Sequence, residues 1–376
     1  MTIVLVIDVF DQKKNGTTMS ARRFTELLRE RGHEVRVIST GQPEKDKYVV
    51  KTVRPPIINT LCEKQSFQFA KADKKVIREA LKGADVVHLY MAFPLEIRAL
   101  REARKMGIPC TGAFHIQPEN ITYNIKMRRA EWLAWIIYRL FRRFYNKLDH
   151  VHCPSEFIAS QLKRHKYKAK LHVISNGITK EFVPDKEIME QNKNKNKNRI
   201  DILMIGRLSP EKRQDLVIEA AKLSKYSSKI HLHFAGSGPM EKEYKKMAST
   251  LHNPATFNFY DQKDLINLIH SCDLYVHTSE IEIEAIACIE AISCGLVPVI
   301  ANSKKSAAKQ FALDERSLFE SGNAQDLADK IDYWIENPDE KKRMSEKYVL
   351  YSRNYDINKS IDKAEAMFME AIRDAR

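Results

Sequence analysis

Two basic side chains near a predicted helix start could bind an anion. Arg207 and Lys212 come directly after the apolar run Ile200–Ile205, which has the length of a buried strand. Ser209 suits the N-cap of a following helix and Pro210 its first position, so both cations would lie near a helix N-terminus. Because that end already carries a partial positive charge, cations there are unfavourable unless an anion such as a pyrophosphate is bound. The alternative is that both side chains extend into solvent.

Two glutamates, Glu282 and Glu290, could bind sugar hydroxyls. They follow the predicted strand Leu274–His277, and Glu282 falls in a loop or at the start of the helix that contains Glu290. Their separation in sequence is roughly two helical turns, so both carboxylates can face one cleft. Carboxylates are good acceptors for paired sugar hydroxyls. The alternative is a solvated helix face, but the residues around Glu290 are apolar, and a buried carboxylate without partners would be costly.

The elements that must position these side chains form two series of alternating strands and helices. Helical stretches such as Thr17–Arg31 separate the apolar runs, and the polar segment Asn192–Asn198 lies near the boundary between the two series. Strands that alternate with helices favour parallel sheets, whose ligands bind beyond the carboxyl ends of the strands. We therefore predict an α/β chain with two Rossmann-like, doubly wound domains, residues 1–180 and 181–356, facing each other across a cleft. The predicted strands are Ile3–Ile7, Val35–Ile38, Val86–Tyr90, Cys110–Ala113, Val151–Cys153, Leu171–Ile174, Ile200–Ile205, Ile230–Ala235, Leu274–His277 and Val297–Ile300.

Missing motifs disfavour several classes of site. The first predicted strand is not followed by Gly-x-Gly-x-x-Gly, and the sequence has no P-loop, so a tightly held dinucleotide and a P-loop nucleotidase are both disfavoured. The six cysteines are scattered, without the paired spacing of a zinc site. The sequence has no run of the ~20 apolar residues that a membrane-spanning helix needs. Its start lacks the basic flank of a signal peptide, so we expect a cytoplasmic protein.

The net charge of +14 is concentrated in the first half of the chain. Residues 1–185 contain 34 Lys and Arg against 19 Asp and Glu, and the remainder is close to neutral. A one-sided basic surface indicates an anionic partner, either nucleic acid or an anionic membrane. A protein that only binds nucleic acid would need base-stacking aromatics along a groove, and it would leave the two spaced glutamates unexplained.

The segment 127–147 has the composition of a helix that lies on a membrane surface. Its aromatic and aliphatic residues recur at helical spacing, with basic residues around them. Each basic residue near an anionic surface contributes about 1 kcal/mol, which favours reversible anchoring. The alternative is a core-packed helix with arginine side chains lying over it. The predicted membrane-binding residues are Arg128, Arg129, Trp132, Trp135, Arg139, Arg142 and Arg143.

The second half of the chain resembles the nucleotide-binding half of retaining GT-B glycosyltransferases, the sucrose-synthase-like and phosphatidylinositol-mannosyltransferase-like family. The resemblance rests on Gly-Arg-x-x-x-x-Lys from Gly206, on Glu-x7-Glu-Ala from Glu282, and on a following Gly-x-x-Pro-Val strand. It implies that Arg207 and Lys212 hold the donor diphosphate. It also implies that Glu290 binds the ribose hydroxyls and Glu282 the donor sugar.

Further site residues follow from the same resemblance. Backbone N–H groups at Glu284, Ala285 and Ile286 would contact phosphate and sugar, although the family usually has Phe-Gly where this chain has Glu284-Ala285. The loop from Gly236 to Gly238 would lie near the base, and a simple tight turn is its alternative. In the first half, Gly16 belongs to the turn that touches the donor phosphate or the acceptor.

The catalytic set that the resemblance implies consists of Arg207, Lys212, Glu282 and His115. His115 follows the predicted strand that ends at Ala113 and matches the family histidine beside the donor sugar. Enzymes of this family are thought to need neither a protein nucleophile nor a metal, so we expect no metal requirement, no metal among the residues of this site and no cofactor besides the nucleotide sugar. A helix of about 357–376 would pack back on the N-terminal domain, as in relatives.

The N-terminal half also resembles bacterial diacylglycerol glucosyltransferases, around Asn-Gly-Thr-Thr-Met-Ser-Ala-Arg-Arg and Phe-His-Ile-Gln-Pro-Glu-Asn. It would therefore bind the acceptor. The resemblance implies transfer of glucose from UDP-glucose to diacylglycerol by a peripheral enzyme on the inner face of the cell membrane, with no nucleic-acid partner. The alternatives are a glycosyltransferase with a soluble sugar or glycan acceptor and, less favoured, a non-catalytic nucleic-acid-binding protein.

Overall fold

The protein folds into two compact units, each built on its own parallel sheet. The computed structural model describes residues 1–12, 16–53, 68–125, 127, 130–185, 187 and 198–375. Unit 1 consists of Met1–Asn176 together with Asn358–Arg376, and unit 2 consists of Gly177–Ile357. The predicted α/β class with two parallel sheets is confirmed.

Unit 1 contains a seven-stranded parallel sheet with the strand order β3-β2-β1-β6-β7-β8-β9. Residues Ile3 to Val6 of the inner strand β1 are fully buried, as expected for a parallel sheet covered on both faces. The strands β4 and β5 form a separate antiparallel pair. The strands are β1 (Thr2–Val6), β2 (Glu34–Ser39), β3 (Lys47–Val49), β4 (Thr52–Val53), β5 (Phe69–Ala70), β6 (Val86–Leu89), β7 (Cys110–Ala113), β8 (His150–Cys153) and β9 (Lys170–Val173).

Helices connect most of the parallel strands of this sheet, as is usual for parallel crossovers, although β2 and β3 are joined by a loop. Asp73 begins one of them: its side chain accepts hydrogen bonds from the N–H groups of Lys75 and Val76. Ser155 caps another by accepting from the N–H of Ile158. The helices are α1 (Gly16–Glu30), α2 (Lys74–Leu81), α3 (Pro94–Lys105), α4 (Pro118–Asn124), α5 (Glu131–Tyr145) and α6 (Glu156–Arg164).

Unit 2 repeats this plan with a six-stranded parallel sheet in the order β12-β11-β10-β13-β15-β17. The short strands β14 and β16 form a second, two-stranded sheet. The strands are β10 (Ile200–Ile205), β11 (Ile230–Ala235), β12 (Thr256–Asn258), β13 (Leu274–His277), β14 (Ile281–Glu282), β15 (Pro298–Ala301), β16 (Lys305–Ser306) and β17 (Leu318–Phe319).

The helices of unit 2 bury apolar faces against one core that includes Trp334 and Tyr348. Pro338 takes the first position of one helix, where its missing N–H does no harm. These helices are α7 (Gln214–Leu223), α8 (Glu241–Ala248), α9 (Gln262–Ser271), α10 (Ile286–Ser293), α11 (Ala324–Glu336) and α12 (Pro338–Ser352).

The last helix, α13 (Ile357–Asp374), packs on unit 1 from Asn358 onward. Ile361 and Phe368 are fully buried in the core of unit 1, beside the side chains of β1 and α1. Arg31, just after α1, forms ion pairs with Asp362 (2.6 Å) and Glu365 (2.8 Å) of this helix. Apolar burial and polar contacts therefore both fix the chain end on the first unit.

Candidate active site

The chain after β10 does not form an α-helix at Pro210, where the sequence predicts one. Ser209 Oγ donates a 2.6 Å hydrogen bond to Glu211 Oε1 instead of accepting one from the backbone. Pro210–Lys212 form a single 3-10 turn, Arg213 is left-handed at φ 57°, and α7 begins only at Gln214. The prediction that Ser209 caps an α-helix is therefore wrong, because its hydroxyl is drawn to the neighbouring carboxylate. Lys212 ends the turn that precedes the helix.

Arg213 and two residues after β13 hold this turn in place. Arg213 donates to Asp215 Oδ2 at 2.9 Å and to Glu280 Oε1 at 2.5 Å. Thr278 Oγ1 donates to the Lys212 carbonyl at 2.7 Å. Burial lowers the pKa of Arg213, but its bonds with Asp215 and Glu280 outweigh burial and raise that pKa. The backbone of Lys212 is therefore fixed by a permanently charged neighbour and by the end of β13.

Lys212, Glu282 and His277 form a largely buried charged cluster. Lys212 Nζ makes a short ion pair with Glu282 Oε1, and His277 Nε2 lies 3.2 Å from the same oxygen. His277 Nδ1 is 2.9 Å from the hydroxyl of Tyr275. Burial raises the pKa of Glu282, but the charge of Lys212 and the neighbouring His277 outweigh burial and hold that pKa well below its usual range. Glu282 is thus an oriented anion.

Glu282 lies on β14 and not on the helix that contains Glu290. Its strand pairs with β16, and its carbonyl accepts a 2.9 Å bond from the N–H of Ala307. The prediction that Glu282 and Glu290 are about two helical turns apart is therefore wrong, because Glu282 lies on a strand that ends before α10 begins. Both carboxylates are nevertheless close to Tyr275. Burial first, then electrostatic interaction with Cys288, Glu282 and Glu290, raise the pKa of that tyrosine well above its usual value.

Arg207, five residues before Lys212 in the sequence, is a partly desolvated cation. Its carbonyl accepts a 2.8 Å bond from Gln214 Nε2 at the start of α7. Burial lowers the pKa of Arg207, and the charge of Glu211 opposes that shift in part. An arginine that has already lost much of its hydration binds an anion at a smaller desolvation cost.

Gly236 and Gly238 let the loop after β11 pack on the loop that carries Arg207. A Cβ atom at Gly236 would lie 2.0 Å from the carbonyl oxygen of Gly206, which itself has φ 151°. A Cβ at Gly238 would lie 2.2 Å from the carbonyl oxygen of Leu208. This close approach accounts for both glycines. The predicted contact of Gly236 with the donor stays a prediction.

The segment Glu284–Ile286 leads into α10. Glu284 is buried, and Ala285 precedes the helix in the left-handed conformation, at φ 71°. That conformation is costly for a residue with a Cβ, which explains why a glycine is expected there. Ile286 is the first residue of α10, and Glu290, only 8% exposed, lies within it.

In unit 1, His115 follows β7 and is buried among aromatic rings. It stacks on Tyr90 at 5.4 Å and meets His152 edge-on at 5.3 Å. Burial, and then the electrostatic interaction with His152 and His88, which disfavours a second positive charge, lower the pKa of His115 well below its usual value, so the ring is neutral. Neither ring nitrogen has a hydrogen-bond partner among the described residues.

Gly16 is the first residue of α1. A Cβ atom there would meet no described atom within 4 Å. Unlike Gly236, this glycine is therefore not required by contacts with the part of the chain that the structure describes. Its neighbour Asn15 lies outside the described residues.

The helix α5 presents aromatic and aliphatic side chains to solvent. Trp132 is 61% and Trp135 53% exposed, although Ala134 and Tyr138 of the same helix are buried. One face of α5 is therefore buried, as the alternative of a core-packed helix requires, and the membrane contact of the exposed face stays a prediction. The exposed side chains of α5 include Trp132, Trp135, Ile136, Arg139, Leu140 and Arg143, which we call the α5 face.

Arg142 departs from this pattern. Its Nη1 donates a 2.9 Å hydrogen bond to the His165 carbonyl, so its guanidinium is held against unit 1. Arg139 instead lies over the ring of Trp135, 5.7 Å from its centroid. Arg128 and Arg129 lie outside the described residues. Within the described ranges, none of the helices has the length and apolar character needed to cross a bilayer.

Several residues of this site were missed in the sequence. Arg213, His277, Thr278 and Glu280 fix the positions of Lys212 and Glu282. The available signal was the run of polar residues after the apolar strand β13, because ligands of parallel sheets bind at the carboxyl ends of their strands.

Comparison with known proteins gives two adjoining family matches. Residues 14–182 match Glycosyltransferase Family 4, and residues 185–348 match Glycosyl transferases group 1. The alpha-monoglucosyldiacylglycerol synthase of Streptococcus pneumoniae is 25% identical over 315 residues, 80% of this chain and 71% of that protein. The GDP-mannose-dependent alpha-mannosyltransferase of Mycolicibacterium smegmatis is 27% identical over 312 residues, 80% of this chain and 79% of that protein.

Solved structures resemble the chain at full length and in part. Anabaena HepE in complex with UDP-glucose superposes with a TM-score of 0.75, at 17% identity, over 98% of this chain and 99% of that one. The catalytic domain of cholesterol-alpha-glucosyltransferase from Helicobacter pylori is 51% identical, covers 42% of this chain and 98% of its own, and has a TM-score of 0.41. The two parallel-sheet units and the two family matches agree, and the chain belongs to the GT-B glycosyltransferases, with a Family 4 domain followed by a group 1 domain.

Proposed function

We propose that this enzyme transfers glucose from UDP-glucose to the hydroxyl of a membrane lipid, with diacylglycerol as the acceptor and with retention at the anomeric carbon. The observation that carries the proposal is the Lys212–Glu282 ion pair, with Arg207 five residues earlier in the chain. These side chains follow β10 and β13, and ligands of parallel sheets bind at such carboxyl ends. Arg207 and Lys212 would bind the diphosphate of the donor.

The contacts of Lys212 and Glu282 support separate roles for them. An ammonium group has three donors, so Lys212 can keep its bond to Glu282 and still bind a phosphate oxygen. Glu282 would accept hydrogen bonds from hydroxyls of the donor sugar. Its charge is already shared with Lys212 and lies close to His277, which makes it a poor nucleophile.

The proposed step therefore uses no covalent enzyme intermediate. The bond from the anomeric carbon to the diphosphate breaks, and its electron pair stays on the departing phosphate oxygen. The acceptor oxygen bonds to the anomeric carbon on the same face, and its proton passes to that phosphate oxygen. Arg207 and Lys212 would stabilise the charge that develops on the leaving group. We propose that these two cations suffice, so that the step requires no metal.

The α5 face supports a lipid acceptor. Exposed tryptophans with arginines beside them are typical of helices that lie in a membrane interface. The name of the Streptococcus pneumoniae relative refers to a glucosylated diacylglycerol, which favours this lipid for the first assay. The neutral His115 in unit 1 would serve as a positioning or binding group for the sugar, not as a general acid.

A donor and acceptor panel tests the proposal. The purified protein is incubated with UDP-glucose or GDP-mannose, and with diacylglycerol, cholesterol or a soluble sugar phosphate. NMR of the product gives the anomeric configuration. We expect an α-glucoside of diacylglycerol from UDP-glucose, without added metal and in the presence of a chelator. Transfer only to the soluble sugar would overturn the lipid acceptor, and a β-linked product would overturn retention.

A further inference from the structure

The proposed function does not use a cluster of metal-ligating side chains from β8, β9 and α13 in unit 1. His150 is the first residue of β8, His172 lies on β9, and Glu370 lies in the last turns of α13. His150 Nδ1 and His172 Nε2 are 3.0 Å apart, and Glu370 Oε2 lies 4.0 Å from that Nε2. One ligand atom from each residue lies within 4.8 Å of the others.

We propose that His150, His172 and Glu370 form a zinc site that fastens α13 to the sheet of unit 1. Zinc binds histidine nitrogen and carboxylate oxygen at about 2.0–2.2 Å in tetrahedral geometry, which separates ligand atoms by roughly 3.3 Å. The observed separations require only small side-chain movements to reach that value. Water would complete the coordination.

A neighbouring carboxylate supports the assignment. Asp374 Oδ2 lies 3.2 Å from His150 Nε2, the ring nitrogen opposite the proposed ligand atom. Metal-binding histidines usually give their other N–H to a carboxylate, which fixes the tautomer and the orientation of the ring. Asp374 would thus be a positioning residue for His150.

The two oxygens of Glu370 have different surroundings. Oε1 forms an ion pair with Lys170, and Oε2 lies on the side of His172. Lys170 therefore orients the carboxylate without occupying the position of the ion. The mixed nitrogen and oxygen ligand set suits zinc better than magnesium or calcium, which prefer oxygen alone.

The position of the cluster indicates a structural role. His150 is the first residue of β8 and His172 lies within β9, whereas His115 lies beyond the carboxyl end of β7. Two ligands belong to the sheet and the third to α13, so one ion would link elements about 200 residues apart in sequence, as Lys170 and Glu370 already are. It would act on the end of α13 beyond Phe368, the last large side chain of this helix buried in the core.

Metal titration of the full chain tests the site. The protein carries no histidine tag, is stripped with a chelator and is titrated with Zn²⁺ by calorimetry and with Co²⁺ by absorption spectroscopy. We expect one equivalent of tightly bound ion, visible bands of four-coordinate Co²⁺, and a Tm that rises by roughly 5 °C in excess zinc. His172→Gln and Glu370→Gln should each weaken binding at least tenfold, and Asp374→Asn should weaken it about tenfold.

His231→Gln is the matched control. His231 and His233 form another close histidine pair, in unit 2, with ring centroids 4.7 Å apart. This variant should bind zinc like the wild type. The proposal is overturned if the wild type binds no zinc below about 100 μM, or if His231→Gln weakens binding as much as His172→Gln. If His172→Gln does not fold, Glu370→Gln takes its place in the comparison with His231→Gln. Because the readout is metal binding, its failure leaves the sugar-transfer proposal untouched.

Discussion

Lys212 and Glu282 are 70 residues apart in sequence, yet Lys212 Nζ and Glu282 Oε1 form a short ion pair. The pair connects the turn after β10 with the short strand β14. Only 20% and 12% of the two side chains are exposed, so water screens the attraction weakly. A cation held in this way is oriented before an anionic donor arrives, which reduces the entropy that binding would otherwise cost.

Removal of the Lys212 ammonium group should lower the rate of sugar transfer far more than it weakens the binding of lipid. We expect Lys212→Ala to lower kcat/KM for sugar transfer by 10²- to 10³-fold, because charge on the leaving diphosphate loses a donor. Lys225→Ala is the control, since the Lys225–Glu336 pair is largely exposed and should contribute little to stability. Steady-state kinetics below the Tm of each variant measure this. Equal losses in both variants would contradict the role of Lys212.

The stability that Glu282 contributes should depend on pH in a defined direction. Its pKa in the folded protein is depressed below the unfolded value of about 4.3. Its contribution is therefore complete above about pH 5 and is lost as the pH falls toward the folded pKa. Glu282→Gln should lower stability by about 3 kcal/mol at pH 7, and by less at pH 4. Thermal unfolding at both pH values checks this, and a gap that widens in acid would contradict it.

Replacement by glycine should cost less stability at Ala285, which is in the left-handed conformation, than at an alanine inside a helix. The strain of this conformation is about 1 kcal/mol, and relief of it offsets the greater chain entropy of unfolded glycine. Ala285→Gly should therefore be neutral or slightly stabilising. Ala287→Gly, inside α10, should destabilise by about 1 kcal/mol. Comparison of the two Tm values tests the assignment, which fails if both variants lose the same stability.

Two glycines should respond differently to alanine. Gly236→Ala places a methyl group against the carbonyl of Gly206, so we expect a loss of about 1–3 kcal/mol and of activity. Gly16→Ala meets no described atom and should fold normally. If a ligand approaches Gly16, transfer should still fall, by about tenfold. Full activity of Gly16→Ala would remove this residue from the proposed site.

The α5 face should govern vesicle binding. Replacing Trp132 and Trp135 together by alanine should weaken binding to anionic vesicles at least tenfold, because two exposed rings are lost. Leu350→Ala is the control, since Leu350 is as exposed but lies on α12. Sedimentation with vesicles measures both. Unchanged binding of the double variant would exclude this face.

The arginines of α5 should differ from one another. Arg143→Glu should weaken vesicle binding about fivefold or more, because each cation near an anionic surface contributes about 1 kcal/mol. Arg142→Glu should instead lower the Tm, since Arg142 donates to the His165 carbonyl. The same sedimentation assay and a melting curve separate the two effects. Equal loss of vesicle binding at both positions, without a change in Tm, would contradict this division.

The strands could be predicted from the sequence because buried parallel strands are continuous apolar runs. β7, β10, β11 and β13 have the predicted bounds. The predicted strand Val297–Ile300 begins one residue later, at Pro298. Isolated short pairs such as β14 and β16 have no comparable signal, because two residues show no periodicity. Glu282 was therefore expected beside a helix and is found on a strand.

The partners of the charged residues could not be read from the sequence. The attraction of Ser209 to Glu211 competes with helix capping, and local patterns do not decide which hydrogen bond forms. The link from Thr278 to Lys212 depends on the parallel neighbours β10 and β13, whose register only the fold determines. The same holds for His150 and His172, which the pairing of β8 with β9 brings together.

The transfer of label from UDP-[¹⁴C]glucose into extractable lipid tests the central claim most directly. Wild type and Lys212→Ala are incubated with vesicles containing diacylglycerol, with and without anionic phospholipid. The account predicts labelled glycolipid from the wild type, more of it on anionic vesicles, and at least 100-fold less from the variant. Equal labelling by both proteins, or label found only in water-soluble products, would contradict it.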